Sequence, residues 1–114
     1  MDVNVERIDG VITLRLGGRI VGIAGGELRQ VIEEQLADAP ESPKVLFDFA
    51  DVSRMDSSGL GTLIGLHVSV ARKGGRIGVI NVSNSINNLL VIGRLITIFE
   101  HFDSETEALD SLNG

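Results

Sequence analysis

Apolar and polar residues alternate along the first sixteen positions of the chain, and this alternation predicts two β-strands. The alternating apolar residues are Val3, Val5, Ile12, Leu14 and Leu16. Asp9-Gly10 lies between the two groups, and this pair favours the positive φ angles of a tight hairpin turn. We therefore expect antiparallel strands at about 2–8 and 11–16, with Gly17-Gly18 ending the second strand.

Helical periodicity first appears at Glu27. The residues that recur at intervals of three and four are Leu28, Val31, Ile32, Gln35 and Leu36. Pro40 and Pro43 follow, and because proline cannot continue a helix, the helix is predicted to end within 39–43. In the segment 19–26 before the helix, glycines interrupt β-branched residues, and we expect a short extended piece and a loop there.

A third strand and a second helix occupy the middle of the chain. Val45-Leu46-Phe47, with Phe49, is a nearly continuous apolar run, which is typical of a strand covered on both faces. The next helix is predicted to stop at 72–75, where cations precede two glycines. Its predicted buried face consists of Leu60, Leu63, Ile64, His67, Val68 and Ala71. Gly61 and Gly65 are expected to allow a neighbouring element to approach closely.

The last third of the chain predicts two more strands and two more helices. The strands are predicted at 76–82 and 96–99. Asn84 or Ser85 is expected to cap the first of these helices, which ends at Gly93, and the capping box at 104–107 begins the second. The order β-β-α-β-α-β-α-β-α predicts an α/β fold: a mixed sheet of about five strands, with an initial antiparallel hairpin and later strands alternating with four helices.

Composition and charge narrow the class of protein. A length of 114 residues fits one domain covering 1–114, and 43% apolar with 23% charged residues is typical of a folded chain. The net charge of −6 repels a phosphate backbone, and the lack of Trp and Tyr removes the rings that stack on bases, so no direct nucleic-acid binding is expected. The lack of cysteine excludes disulfides and thiolate sites.

No apolar run approaches the ~20 residues that cross a bilayer, and the first residues lack the regions of a signal peptide. We expect a cytoplasmic protein without membrane insertion; its oligomeric state stays open, with a monomer favoured.

The residue types that carry catalysis or hold cofactors do not form a recognisable pattern. The glycines at 17–18 and 22–26 lack the phosphate-binding motifs and are expected to serve turns. His67 and His101 lack the spacing of metal ligands, and the carboxylates are ordinary for helix faces and strand ends. We therefore expect no metal, no cofactor and no catalytic residue.

The segment from Met55 to Leu63 joins the middle strand to its helix. Aspartate and serine are residue types that cap helices, because their side-chain oxygens accept the unpaired N–H groups of the first turn. One interpretation is a helix start and nothing more. The other is a serine hydroxyl displayed for function at the corner, since loops that join such elements often carry function. The residue pattern leaves both interpretations open.

The run from Val45 to Leu60 closely resembles the signature of STAS domains, and more narrowly that of bacterial anti-sigma factor antagonists. The segment Met55–Gly61 is fairly specific to the antagonists. Weaker similarity covers nearly the whole chain, including Leu16–Gly18, Lys73–Gly75 and Leu90–Phe99.

This resemblance implies a mixed sheet with helices on it and a binding protein rather than an enzyme. Antagonists of this kind, when unphosphorylated, bind an anti-sigma factor that is also a serine kinase, and thereby release a sigma factor. The kinase phosphorylates the first serine after the aspartate, here Ser57, and a PP2C-type phosphatase removes the phosphate. Asp56, Ser58 and Gly59 match neighbouring motif positions, and the resemblance implies that they contact the partner.

The sequence departs from this family at Arg19 and Val21, which stand where many antagonists carry acidic residues. If those positions contact the kinase, the partner surface of this chain differs from the usual one. The alternative function is a constitutive STAS interaction module in a transporter or signalling complex, never phosphorylated. A hydrolase using Ser57 or Ser58 comes third, because the chain lacks a G-x-S-x-G elbow.

Overall fold

Within the residues that the structure describes, five strands form one sheet in the order β1-β2-β3-β4-β5, with four helices connecting or following them. The structure, a computed structural model, describes residues 1–39 and 41–114, so Pro40 of the predicted helix stop lies outside the described residues. The elements are β1 (Asp2–Ile8), β2 (Val11–Ile20), α1 (Ala24–Ala37), β3 (Lys44–Met55), α2 (Ser57–Arg72), β4 (Arg76–Ile80), α3 (Asn84–Ile92), β5 (Glu100–His101) and α4 (Glu105–Asn113). This order and the mixed α/β sheet confirm the fold predicted from the sequence.

The hairpin between β1 and β2 makes the only antiparallel pair among the strands of the described residues, and β2 through β5 run parallel. Asp9 and Gly10 take φ angles of 51° and 80° in the turn, as predicted from their residue types. Because β2 and β3 are parallel neighbours, their carboxyl ends meet at the same edge of the sheet.

The sheet is covered on both faces. One face packs against buried residues of α1, α2 and α3, and the other packs against Ala108 and Leu112 of α4. Val45 and Phe47 belong to the first core, and Leu46, between them, belongs to the second. The apolar run of β3 is therefore buried on both sides, as its pattern predicts.

Two strand predictions were wrong in position. β2 does not end at Gly17-Gly18 but continues to Ile20, because β3 extends beside it to Met55 and shifts in register absorb the irregularity. The residues 96–99 form turns rather than a strand, since the N–H groups of Ile98 and Phe99 both donate to the carbonyl of Leu95. β5 follows immediately after them, so the order of elements is unchanged.

The helix boundaries also differ in places from the prediction. α1 begins at Ala24, three residues before Glu27, and α3 is capped by Ser83 rather than by Asn84 or Ser85. The Ser83 hydroxyl accepts the N–H of Ile86 at 3.2 Å. The other predicted helix signals are confirmed: α2 ends at Arg72, α3 ends before Gly93, and Ser104 caps α4.

The buried face of α2 is rotated from the predicted one. Its buried residues are Gly59, Leu60, Thr62, Leu63, Leu66 and Val70. Ile64 and Val68, predicted to be buried, are 39% and 42% exposed, and Ala71 is also exposed. Thr62 is turned inward because its hydroxyl donates to the carbonyl of Gly25 in α1 at 2.6 Å.

Candidate functional site

The candidate site is the corner where β2 and β3 end and α1 and α2 begin. The N–H of Asp56 donates to the carbonyl of Ile20 at 3.3 Å, and this bond joins the ends of the two strands. The turn before α1 and the first turn of α2 therefore lie side by side at the carboxyl edge of the sheet. Ligands and partners of α/β proteins commonly bind at this kind of edge.

Asp56 caps α2 and also holds the turn before α1. Its Oδ1 accepts the hydroxyl of Ser58 at 2.5 Å and the N–H groups of Ser58 and Gly59 at 3.0 and 3.4 Å. Its Oδ2 accepts the N–H of Gly22 at 3.1 Å. The Ser58 hydroxyl, followed by the Gly22 N–H, lowers the pKa of Asp56 to about 2, because each of these bonds favours the ionised carboxylate. Asp56 is therefore ionised at neutral pH and fixes the geometry of the corner.

The two serines after Asp56 have different environments. Ser57 is the first residue of α2 and is exposed, and its hydroxyl makes no hydrogen bond with any other described residue. Ser58 is half-buried, and its hydroxyl is held by Asp56. Of the two hydroxyls, that of Ser57 is the one free to meet another molecule.

The corner depends on two glycines that have no room for a side chain. A Cβ on Gly59 would lie 2.6 Å from Cγ of Met55 and 3.1 Å from the Ile20 carbonyl. A Cβ on Gly25 would lie 2.7 Å from the carbonyl oxygen of Ser58. The close approach expected at Gly61 and Gly65 is wrong, because a Cβ at Gly61 would meet nothing within 4 Å and one at Gly65 would make only ordinary contact with a side chain.

The structure brings most of the predicted site residues together. Asp56, Ser58 and Gly59 are in direct contact, Ser57 lies between them in the chain, and Val21 accepts the N–H of Ala24 in the adjacent turn. Arg19 lies further back, in register with Arg54 of β3 and exposed. It makes no hydrogen bond to the other five residues within the described part of the chain.

Sequence reasoning missed the part that α1 plays in the corner. The N–H of Gly22, just before α1, donates to Asp56. Gly25 of α1 packs closely against α2, and its carbonyl accepts the hydroxyl of Thr62. The cluster of glycines at 22–26 is the available signal, but from its sequence it predicts a loop. The contacts join positions 34 and 37 residues apart, so no local pattern reveals them.

The remaining candidates lie outside this corner. His67 is half-buried on α2, and the ring of His101 is hydrogen-bonded to the carbonyl of Ile96 at 3.0 Å. Across residues 1–39 and 41–114, no three His, Cys, Asp or Glu side chains are grouped so that they could hold a metal ion. In the same residues, none of the helices combines the length and the apolar character required to span a bilayer.

Comparisons with known proteins give the chain a family context. The family model of the STAS domain matches residues 2–108. The anti-sigma F factor antagonist of Paenibacillus polymyxa is 27% identical over 112 residues, which cover 98% of this chain and 95% of that protein.

Solved structures share the fold at lower identity. Unphosphorylated SpoIIAA, an anti-sigma factor antagonist, superposes with a TM-score of 0.84 at 23% identity, covering 99% of this chain and 97% of that one. The phosphorylated form of SpoIIAA, from Bacillus, has a TM-score of 0.76 at 23% identity, covering 96% and 98% of the two chains. An anti-sigma factor antagonist from Mycobacterium paratuberculosis has a TM-score of 0.84 at 23% identity, covering 99% and 94%.

Proposed function

The chain belongs to the STAS domain family, and from this premise we propose that it is an anti-sigma factor antagonist whose binding is switched by phosphorylation of Ser57. Unphosphorylated, it binds an anti-sigma factor that is also a serine kinase, and a sigma factor is released for transcription. The kinase transfers the γ-phosphoryl group of ATP to the Ser57 oxygen, which loses its proton, and ADP leaves. A PP2C-type phosphatase hydrolyses the phosphate. Because the partners act in transcription, we propose the cytoplasm as the location.

The environment of the two serines is the observation that carries this proposal. The exposed Ser57 hydroxyl is accessible to a kinase, whereas the hydroxyl of Ser58 is engaged by Asp56. The relatives point in the same direction: one is an anti-sigma F factor antagonist, and SpoIIAA, which shares the fold, has a phosphorylated form.

The position of Ser57 allows phosphorylation without unfolding. A phosphate adds about −1.5 to −2 charges at neutral pH. The helix dipole at the start of α2 favours an anion there, which offsets repulsion from Asp56. The change is therefore confined to the surface, where added charge and bulk expel a partner complementary to the neutral hydroxyl. Losing about 3 kcal/mol of binding free energy weakens a complex more than a hundredfold.

The test begins with each anti-sigma factor kinase encoded in the source genome, incubated with ATP and the wild-type chain. Intact mass should show one added phosphate on the wild type and on Ser58→Ala, and none on Ser57→Ala. Phosphate that persists in Ser57→Ala, or is absent from the wild type with every kinase, contradicts the proposed switch.

A binding measurement tests whether negative charge at position 57 weakens the complex with the kinase. Titration calorimetry should show that Ser57→Asp loses at least a hundredfold in affinity for the kinase that phosphorylates the wild type. Its circular dichroism spectrum and Tm should match those of the wild type. Equal affinity of wild type and Ser57→Asp would show that the interaction is not switched by charge at this position. Loss of the fold in Ser57→Asp would contradict a change confined to the surface.

A further inference from the structure

Arg19 and Arg54 are neighbouring arginines near the candidate site, and within the described residues neither has a carboxylate partner. They are register partners in the parallel strands β2 and β3, and both are exposed. Neither lies within 4.0 Å of a carboxylate among the described residues. In contrast, Arg15, Arg29 and Arg76 each lie within 3.2 Å of a glutamate.

Two like charges held side by side repel each other, and an anion from outside relieves that repulsion. The nearest acids do not supply it: Asp2 and Asp51 lie beside Gly17, earlier along the strands, and the carboxylate of Asp56 is held by the start of α2 and by Gly22. The pair thus gives a chain of net charge −6 a local positive surface.

This positive surface lies close to Ser57. The pair Ile20 and Met55 follows it in the register, and the next residue of the chain is Asp56. Three residue steps separate Arg54 from Ser57, so their Cα atoms are at most about 11 Å apart. That separation is close to the Debye length of about 8–10 Å at physiological salt, so a charge on Ser57 acts on the pair.

We propose that the pair Arg19–Arg54 docks an acidic surface of the anti-sigma factor, and that phosphate on Ser57 neutralises this docking element. The inference rests on the proposed function and deepens it by stating the charge of the partner surface. The two arginines and the ionised Asp56 together carry about one positive charge, and the phosphate adds about −1.5 to −2, so phosphorylation makes the local charge negative. Phosphorylation then slows association as well as expelling the partner, because opposite charges steer diffusing proteins together.

The occupant is an acidic protein surface rather than nucleic acid. A duplex binds through many phosphate contacts, and two arginines on a chain with sixteen acidic and ten basic residues offer few. A protein partner needs only one complementary patch beside the serine that it recognises.

The test compares Arg19→Gln/Arg54→Gln with a control of equal charge change, Arg29→Gln/Arg72→Gln, which alters exposed arginines on α1 and α2 away from the corner. Stopped-flow association with the anti-sigma factor that binds the wild type gives kon at low and at high salt. At low salt the first variant should lose about tenfold in kon, with a flatter salt dependence, and the control should stay within about twofold of the wild type.

Two further variants separate the loss of positive charge from a loss of folding, and test whether the two arginines are coupled to Ser57. Arg19→Lys/Arg54→Lys should restore most of kon, and both variants of the pair Arg19–Arg54 should keep the wild-type Tm or exceed it. Ser57→Asp should lower kon by a smaller factor in the Arg19→Gln/Arg54→Gln background than in the wild type, since the charge that it opposes is gone.

The outcomes distinguish this inference from the function on which it rests. If Ser57→Asp abolishes binding while Arg19→Gln/Arg54→Gln behaves like the control, the docking element is overturned and the proposed function stands. If no anti-sigma factor binds the wild-type chain, both are overturned. Binding of a labelled duplex DNA that depends on the pair would also overturn the inference, because the occupant would then be nucleic acid.

Discussion

Asp56 joins two elements through one carboxylate. One oxygen accepts three donors from Ser58 and Gly59 at the start of α2, and the other accepts the N–H of Gly22 before α1. Serine or asparagine would cap the helix as well, but neither offers two acceptor oxygens. The two oxygens of the Asp56 carboxylate therefore position Ser57 by fixing the backbone on both sides of the corner.

This arrangement predicts a dependence of stability on pH. The folded pKa of Asp56 is about 2, below its ordinary value of 3.8, so its contribution is fully present above about pH 4 to 5 and is lost as the pH falls towards 2. Asparagine has one side-chain acceptor oxygen where aspartate has two, so Asp56→Asn should lower Tm at pH 7. Because asparagine does not titrate, the variant should lack the part of the acid destabilisation that comes from Asp56. Calorimetric scans from pH 7 to 2 should show the Tm difference between wild type and variant shrinking below pH 4; parallel curves would contradict the assigned role.

At the scale of elements, the contact between α1 and α2 decides where α1 begins. Glycine has low helix propensity, so the segment 22–26 predicts a loop from its sequence. In the structure, Gly25 packs on the Ser58 carbonyl, and Thr62 donates to the Gly25 carbonyl. These contacts stabilise the first turn of α1 against its own propensity.

Gly25 and Gly26 offer a matched pair of substitutions. Gly25→Ala forces a Cβ to within 2.7 Å of the Ser58 carbonyl, so it should lower the free energy of unfolding by about 1–3 kcal/mol. Gly26→Ala meets nothing within 4 Å and should raise it by about 0.5–1 kcal/mol, since alanine favours the helix. Urea denaturation measures both. Equal effects at the two positions would mean that the approach of α1 to α2 is not tight.

What could be predicted from the sequence at this scale was local. Periodicity predicted the order of elements, and the residue types of Asp56 and Ser104 predicted helix starts, because these signals act within a few residues. The face of α2 and the extension of β2 could not be predicted. Thr62 turns inward to meet a carbonyl 37 positions away, and Gly17-Gly18 stays in the strand because β3 lies beside it.

At the scale of the whole molecule, α4 and the other three helices cover opposite faces of the sheet. α4 buries only Ala108 and Leu112, and an ion-pair cluster adds to this small contact. Arg15 of β2 lies 3.2 Å from Glu6 of β1, 3.2 Å from Asp48 of β3 and 2.6 Å from Glu105 of α4. One guanidinium thus links three elements and holds the start of α4.

Removal of this guanidinium should loosen α4 before the rest of the fold. Only the pair with Glu105 reaches α4 and it is partly exposed, so Arg15→Gln should lower the free energy of opening of α4 by about 0.5–1 kcal/mol. That change corresponds to about 2- to 5-fold faster hydrogen exchange of the α4 amides, while the amides of α2, on the other face, should change little. Arg29→Gln, which breaks one exposed ion pair within α1, is the control and should leave α4 protected. If exchange instead rises uniformly across all four helices of the described residues, α4 is not a separate unit, and both faces of the sheet open together.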